Sequence, residues 1–357
     1  MTPPVVIAGG GLAGAAAACQ LARAGREVTV IERSIGPAHK ICGEFVSIEA
    51  QHYLTRLGLD LAPLGGHPID RVRLVRGASV IETRLPFQGL GLTRFALDEA
   101  LLRHAEASGA TVRRGESVGS TDDISFLATG KHDLRTARRA LDAAPEKLVG
   151  FKTYFRLAPS QQERLAHVVE VMLFPDGYAG LQTVENGSAN LCLLIHRDHL
   201  SRLGSGWDAL LTDLCSTCTH LQQRLTGAEP LLDRPMTIAR VPYGFIHRGE
   251  TDERLYRLGD QACVIPSFSG DGMAMALHSA ALAVEHHLAG LPPSQYHRRL
   301  AADVVGPIRR AMQLQQLGRS ALGQTLLLRA ARLWPGLLRH AATLTRVPAP
   351  ALRHDPA

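Results

Sequence analysis

Several things are scarce in this 357-residue chain, and each scarcity narrows its reading. No apolar run reaches the ~18 residues that a membrane-crossing helix needs. The six cysteines (Cys19, Cys42, Cys192, Cys215, Cys218, Cys263) are too scattered for a disulfide framework. Cys215 and Cys218 form a CxxC, but no second pair or suitably spaced histidine completes a zinc site, so no metal is expected. No signal peptide precedes the first strand, so a cytoplasmic chain is expected. No Ser/His/Asp set or carboxylate pair calls for hydrolytic chemistry. Acids are nearly absent from residues 305–357, which carry Arg309, Arg310, Arg319, Arg329, Arg332, Arg339, Arg346 and Arg353 against Asp355 alone. That leucine-rich, basic segment suits an amphipathic helix pair. It is either a solvated cap on the core or a contact for an anionic membrane surface or acidic carrier protein. No nucleic-acid partner is expected.

What the chain does have is concentrated at its start. The apolar run Val5-Val6-Ile7-Ala8 leads into Gly9-Gly10-Gly11-Leu12-Ala13-Gly14, an alanine-rich helix, a second apolar run and Glu32. Gly9 allows a sharp turn, Gly11 a close approach of backbone to a pyrophosphate, and Gly14 close packing of helix on sheet. The helix N-terminus at Leu12-Ala13 would face the phosphates, and Glu32, with Arg33 beside it, the ribose. This reads as a dinucleotide-binding βαβ unit.

The αβ rhythm continues through a loop at His39–Phe45, a helix from about residue 47 to 58, a helix opening at Arg94, a strand entry near 111 and a short buried strand ending in Thr129-Gly130. From about 150 to 245 the pattern changes to period-two alternation with a turn at Glu185-Asn186-Gly187, which indicates an antiparallel sheet. The α/β character resumes with a strand ending in Gly259-Asp260, then Pro266-Ser267-Phe268-Ser269-Gly270-Asp271-Gly272 and a helix over 273–288. The fold class predicted is α/β: a Rossmann-like domain (1–75, 92–150 and 250–304) interrupted by an antiparallel β-sheet substrate domain (76–91 and 151–249), with a basic helical segment at 305–357.

These separated motifs resemble the FAD-dependent aromatic hydroxylase (class A flavin monooxygenase) and geranylgeranyl reductase superfamily over roughly residues 4–300. The resemblance implies a glutathione-reductase-type FAD domain in which Gly259 and Asp260 hold the ribityl chain. Pro266, Gly270, Gly272 and Met273 would lie beside the isoalloxazine ring, and Arg94 would approach the phosphates. An ion-pairing surface role for Arg94 is the alternative. Where hydroxylases carry an Asp-Gly strand end, this chain has Thr129-Gly130. That departure bears on direct use of NADPH or NADH as electron donor and points to an external flavin-reducing partner as an alternative. The loop Lys40-Ile41-Cys42-Gly43-Glu44 resembles the cysteine-bearing flavin loop of the prenyl reductases, and the segment around Tyr178 resembles their substrate strand without its tryptophan. The W-x-W-x-I motif of flavin halogenases is missing, since the tryptophans are Trp207 and Trp334, and this disfavours halogenation.

The resemblance implies a monooxygenase that hydroxylates an apolar or aromatic small molecule through a flavin C4a-hydroperoxide. Cys42, Glu44, Phe45, Tyr178 and Phe268 would surround the reacting centre. The alternative is a flavin-dependent double-bond reductase acting on a prenyl lipid, which the basic leucine-rich tail favours, with peripheral attachment at the inner membrane surface. A non-catalytic nucleotide-binding or carrier-docking protein is a third reading. Cys42 reads as a buried structural thiol or as a group lining the flavin, with a disulfide partner as the remainder. Glu44 reads as a proton relay or as a cap for the helix that follows it.

Overall fold

The computed structural model describes residues 3–141, 147–204, 206–248 and 254–353. The boundary expected at 249–250 and Asp355 lie outside them. The chain begins with β1 (Val5–Ala8), α1 (Leu12–Arg23) and β2 (Val28–Glu32). Ala15, Ala16, Ala17 and Ala18 of α1 are buried, and their small side chains let the helix lie close to its neighbours. Next come β3 (Phe45–Val46) and α2 (Ile48–Arg56), the latter capped by Ser47, whose Oγ accepts the Ala50 N–H. The strands β4 (His67–Arg76) and β5 (Ser79–Gly91) follow, and then α3 (Arg94–Ala107), capped in the same way by Thr93.

The strands β6 (Thr111–Arg114) and β7 (Phe126–Leu127) return to the first sheet, and β8 (Leu148–Arg156) crosses to the second. There α4 (Pro159–Leu165), β9 (Val168–Phe174), β10 (Gly177–Thr183), β11 (Ala189–His196) and three helices, α5 (Arg197–Arg202), α6 (Trp207–Thr217) and α7 (Thr219–Leu225), build the substrate-side layer. The short strands β12 (Glu229–Pro230) and β13 (Met236–Ala239) edge it. The chain re-enters the first sheet at β14 (Tyr256–Arg257) and finishes in helices α8 (Gly272–Leu288), α9 (Pro293–Arg319), α10 (Ala321–Leu333) and α11 (Gly336–Leu344).

Among the described residues the first sheet is parallel, in the order β14-β7-β1-β2-β6. Strand order reverses between β1 and β7, and a crevice opens at the carboxyl ends of strands at such a switch point. The second sheet runs β12-β8-β11-β10-β9-β4-β5-β3, with β13 also paired to β8. It is antiparallel except where β4 runs parallel to β9. Its two faces do different work because side chains alternate along each strand. Phe151, Phe155, Leu181, Leu191 and Leu193 pack with Leu210, Leu214 and Leu221 of the covering helices. The opposite face looks toward the first sheet.

Two boundaries drawn from the sequence need correction. Residues 67–75, assigned to the first domain, form β4 of the second sheet, paired to β5 through the tight turn at Gly77. Their alternation is blurred because Arg71 and Arg73 point to ion-pair partners instead of solvent alone. The division at 304/305 falls inside α9, a single helix of 27 residues.

Candidate functional site

At the end of β1 the chain turns through Gly9, whose φ of +104° lies in glycine's territory. A Cβ on Gly9 would sit 2.4 Å from the Ala128 carbonyl oxygen, and one on Gly14 would sit 1.9 Å from the Gly9 carbonyl oxygen. Both positions therefore require glycine. Gly11 differs, since its nearest neighbours are the Arg94 Nη2 at 3.6 Å and an Asp98 oxygen at 3.9 Å. The turn is open there and has a guanidinium beside it, the arrangement a pyrophosphate needs. Arg94 is held bidentately by Asp98, with Nε to Oδ1 at 2.5 Å and Nη2 to Oδ2 at 2.8 Å. Burial alone would lower its pKa, but Asp98 raises it, so the positive charge is secure.

Glu32 closes the other side of the turn. Its carboxylate accepts the N–H of Gly10 at 2.7 Å and of Ser34 at 2.9 Å. Burial by itself would raise its pKa, yet these donors bring it below the ordinary range. Glu32 is thus an ionised acceptor facing the crevice, with lone pairs left for a ribose diol.

The strand end at Gly259-Asp260 lies against this same turn: a Cβ on Gly259 would be 3.4 Å from the Ala13 side chain. The Gly259 N–H is held by Ser279 of α8 at 2.9 Å. Asp260 pairs with Lys131 at 3.0 Å, and its carbonyl accepts from Arg139 at 3.0 Å. Burial would lower the Lys131 pKa, but Asp260 raises it above the usual value. Gly130 has a φ of +65° and open space at its Cβ position, and its carbonyl accepts from Gln261 at 2.7 Å. After Pro266 a short 3-10 turn ends at Gly270, in the left-handed region, and α8 begins at Gly272 with its N-terminus facing the cavity. The fully buried Asp271 anchors this turn, taking bonds from the Ser47 hydroxyl at 3.2 Å and the Val347 N–H at 2.8 Å. Burial first, then the nearby Glu49, moves its pKa up to about 7, although Arg346 pulls it down.

The loop carrying Cys42 is fastened from above by the second sheet. Lys152 of β8 donates to the Lys40 carbonyl at 2.9 Å, Asn190 of β11 to the Gly43 carbonyl at 3.0 Å, and Gln182 of β10 to the Glu44 carbonyl at 2.8 Å. Glu44 has a φ of +62°, and these bonds hold it there. Its carboxylate, fully buried, meets the fully buried Lys152 ammonium in an ion pair. It also accepts the Tyr154 hydroxyl at 2.9 and 3.0 Å and the Arg94 N–H at 2.9 Å. Burial raises the Glu44 pKa more than Lys152 lowers it. Tyr154 in turn touches Nδ1 of the exposed His39 at 3.1 Å, and His39 stacks on Phe95. A hydrogen-bonded line therefore runs from the surface to Glu44.

One cavity of about 1280 Å³ joins all these parts. That exceeds the roughly 300–1,000 Å³ of an ordinary small-molecule pocket, leaving space for a dinucleotide and something more. Its roof is the inner face of the second sheet, polar near Gln182 and Glu44 and apolar farther out at Val171, Leu173 and Leu74. Tyr178 and Phe268 meet edge to face across it, ring centroids 6.0 Å apart. The Tyr178 hydroxyl is buried and makes no hydrogen bond among the described residues. The far end is formed by α9, α10 and α11 through Leu314, Leu327, Leu337 and Leu338.

Of the residues singled out from the sequence, Gly9, Gly11, Leu12, Ala13, Glu32, Arg33, Cys42, Glu44, Phe45, Arg94, Gly130, Tyr178, Gly259, Asp260, Phe268, Gly270, Gly272 and Met273 all line this cavity. Gly14 and Pro266 do not; they shape the turns behind it. Cys42 is a free thiol, so the disulfide alternative falls. Glu44 caps a helix, but that helix is α3, through the Arg94 N–H, and not the α2 helix that follows it. Lys131, Lys152, Tyr154, Gln182, Asn190 and His39 were missed. The signal lay in polar side chains at positions where a strand alternation calls for buried ones, as in Gly150-Phe151-Lys152-Thr153-Tyr154.

Comparison with known proteins agrees with this geometry. The profile of the family described as FAD dependent oxidoreductase matches residues 4–90. A menaquinone reductase of Mycobacterium tuberculosis is 29% identical over 315 residues, covering 79% of this chain and 75% of that protein. Among solved structures, the halogenase PltM in complex with phloroglucinol and FAD superposes with a TM-score of 0.73 at 13% identity, covering 99% of this chain and 88% of that one. The myxobacterial chondrochloren halogenase CndH gives a TM-score of 0.72 at 16% identity, covering 98% and 94%. At such identities the likeness is one of fold. The profile match over the nucleotide turn, the relative and the shared fold all point to proteins that are FAD-dependent oxidoreductases.

Proposed function

We propose that this enzyme reduces a double bond in a long apolar substrate of the prenyl-lipid or prenylated-quinone class. The observation that carries the reading is the shape of the cavity. It continues from the nucleotide turn, past Cys42 and Tyr178, to a leucine-lined end between α9 and α11, a length of apolar wall that a small aromatic ring would leave empty. The relation to menaquinone reductases supports the same class.

The lining is compatible with FAD: Gly11 and Arg94 would meet the pyrophosphate, Glu32 the ribose, Asp260 with Lys131 the ribityl chain, and the N-terminus of α8 the ring's pyrimidine edge. Bound FAD supplies hydride, replenished by an external donor such as NADPH, NADH or a flavin-reducing partner. The protein's task is to align the alkene, keep water out and deliver the balancing proton. Tyr154 and His39 connect Glu44, paired with the Lys152 ammonium, to solvent, and the balancing proton enters along that line. Hydride and proton together convert the double bond into a single bond with no further reactant.

A second reading, monooxygenation of an apolar or aromatic molecule, draws on the Tyr178–Phe268 pair, an edge-to-face aromatic wall suited to a flat ring. One experiment separates the two. The FAD-loaded enzyme is reduced with dithionite and incubated with a menaquinone under anaerobic conditions, and in parallel with labelled oxygen. After the quinone ring is reoxidised in air, a product that still carries two added hydrogens, located in its prenyl chain and without added oxygen, supports reduction. Product formed only in air, with label incorporated, overturns reduction in favour of the second reading.

A further inference from the structure

We infer that the α10–α11 hairpin is a docking surface for an anionic lipid bilayer, and that the cavity opens into that bilayer. The helix α10 has two apolar faces. One, through Leu328 and Ala331, is buried against the second sheet, with Gln324 bonded to the Phe174 carbonyl at 2.9 Å. The other carries Leu322, Leu326 and Leu333, spaced four and seven residues apart on one side of the helix, with exposures of 71%, 49% and 88%. Trp334, 57% exposed, extends this stripe at the turn into α11. Single exposed leucines need no explanation, but a stripe of four large apolar side chains within 13 residues does.

The charge around the stripe selects its occupant. Arg319, Arg329, Arg332 and Arg339 are all exposed, and the described part of the chain from residue 305 holds no acid. A second copy packed on this face about a two-fold axis would set arginines against arginines. An anionic bilayer meets both features at once, with hydrocarbon for the stripe and headgroups for the guanidinium groups. Continuity with the cavity gives the same answer. Leu317 and Leu326 line the cavity and are themselves exposed, so the opening lies on this surface. A lipid could pass from the membrane to the interior without crossing water.

The surface is tested by flotation of the FAD-loaded 357-residue chain with vesicles of phosphatidylcholine alone or mixed with phosphatidylglycerol. No substrate is present, so the result is independent of the reaction proposed above. Binding is expected to the anionic vesicles and to weaken as salt is raised. Arg329→Gln, Arg332→Gln and Arg339→Gln should each reduce partitioning by roughly fivefold. The double variant Leu322→Asp/Leu333→Asp should reduce it at least tenfold with no change in melting temperature, because both side chains already face solvent. In a Trp207→Phe background, Trp334 emission should shift to the blue and be quenched by brominated acyl chains. Absence of binding, binding that survives the double aspartate variant, or unquenched Trp334 would overturn the proposal. So would self-association without lipid, or capture by an acidic protein, that the aspartates abolish while vesicle binding is absent.

Discussion

Replacing Lys152 with methionine removes the ammonium facing Glu44 and keeps most of the side chain's volume. Both groups are fully buried, so the variant leaves a carboxylate out of water with the Tyr154 hydroxyl and the Arg94 N–H as its remaining donors. Removing one half of such a pair costs about 3–5 kcal/mol, a large part of the roughly 5–15 kcal/mol that keeps a domain folded. The cost depends on pH, and its sign follows from Glu44. Burial already raises its pKa, and loss of Lys152 raises it further. A carboxyl raised in the folded state contributes its full stability below its unfolded value and loses it as pH climbs toward the folded one. The gap between Lys152→Met and the parent should therefore be small near about pH 5 and widen toward about pH 8. Adding Glu44→Gln removes the stranded charge, so the double variant should recover about 2 kcal/mol or more relative to additivity. Urea unfolding at saturating FAD, followed by far-ultraviolet circular dichroism, measures each corner of the cycle. Additivity within about 0.5 kcal/mol, or a gap that is flat with pH, would refute the buried pair as described.

Gly14→Ala places a methyl 1.9 Å from the Gly9 carbonyl oxygen; the flavin absorbance of the purified variant should fall to a small fraction of the parent's. Glu170 is buried, which alone would raise its pKa, but His220 and Arg224 bring it down to about 2. Because that folded value is depressed, its contribution of about 3 kcal/mol is complete above roughly pH 4.5 and drains away as pH falls toward 2. Acid titration of Glu170→Gln beside the parent should show their stabilities converging over that window. Tyr178→Phe removes a buried hydroxyl with no geometric partner and should leave the melting temperature equal or higher, whereas Tyr154→Phe deletes the bond to Glu44 and should cost about 1–3 kcal/mol. Equal losses in the two would contradict the hydrogen-bond assignment.

The first βαβ unit was legible because its turn leaves a local mark, Gly9 at a φ of +104° and Gly14 against the Gly9 carbonyl oxygen, although Gly9 also meets the distant Ala128 carbonyl. The helix start at Arg94 was legible from local signals too, and the helix expected from residue 273 begins one residue earlier, at Gly272. The parallel pairing of β4 with β9 was not, since it joins residues about a hundred positions apart and leaves no mark on either strand's alternation. The site followed the same division. Cys42 and Glu44 stood out through their loop, but what holds that loop comes from Lys152, Gln182 and Asn190 on three different strands. Each looks like an ordinary polar strand residue until register brings it over the loop.

The attachment of the Cys42 loop to the second sheet gives flavin and the proposed substrate a shared wall, and so a route to interdependent affinities. Whatever stiffens that sheet also stiffens one wall of the flavin's berth, and reciprocity then requires that each ligand tighten the other by the same factor. On the proposed lipid reading, enzyme stripped of that lipid during purification would hold its flavin more weakly, and a pale preparation would then report an empty second compartment as much as a damaged first one.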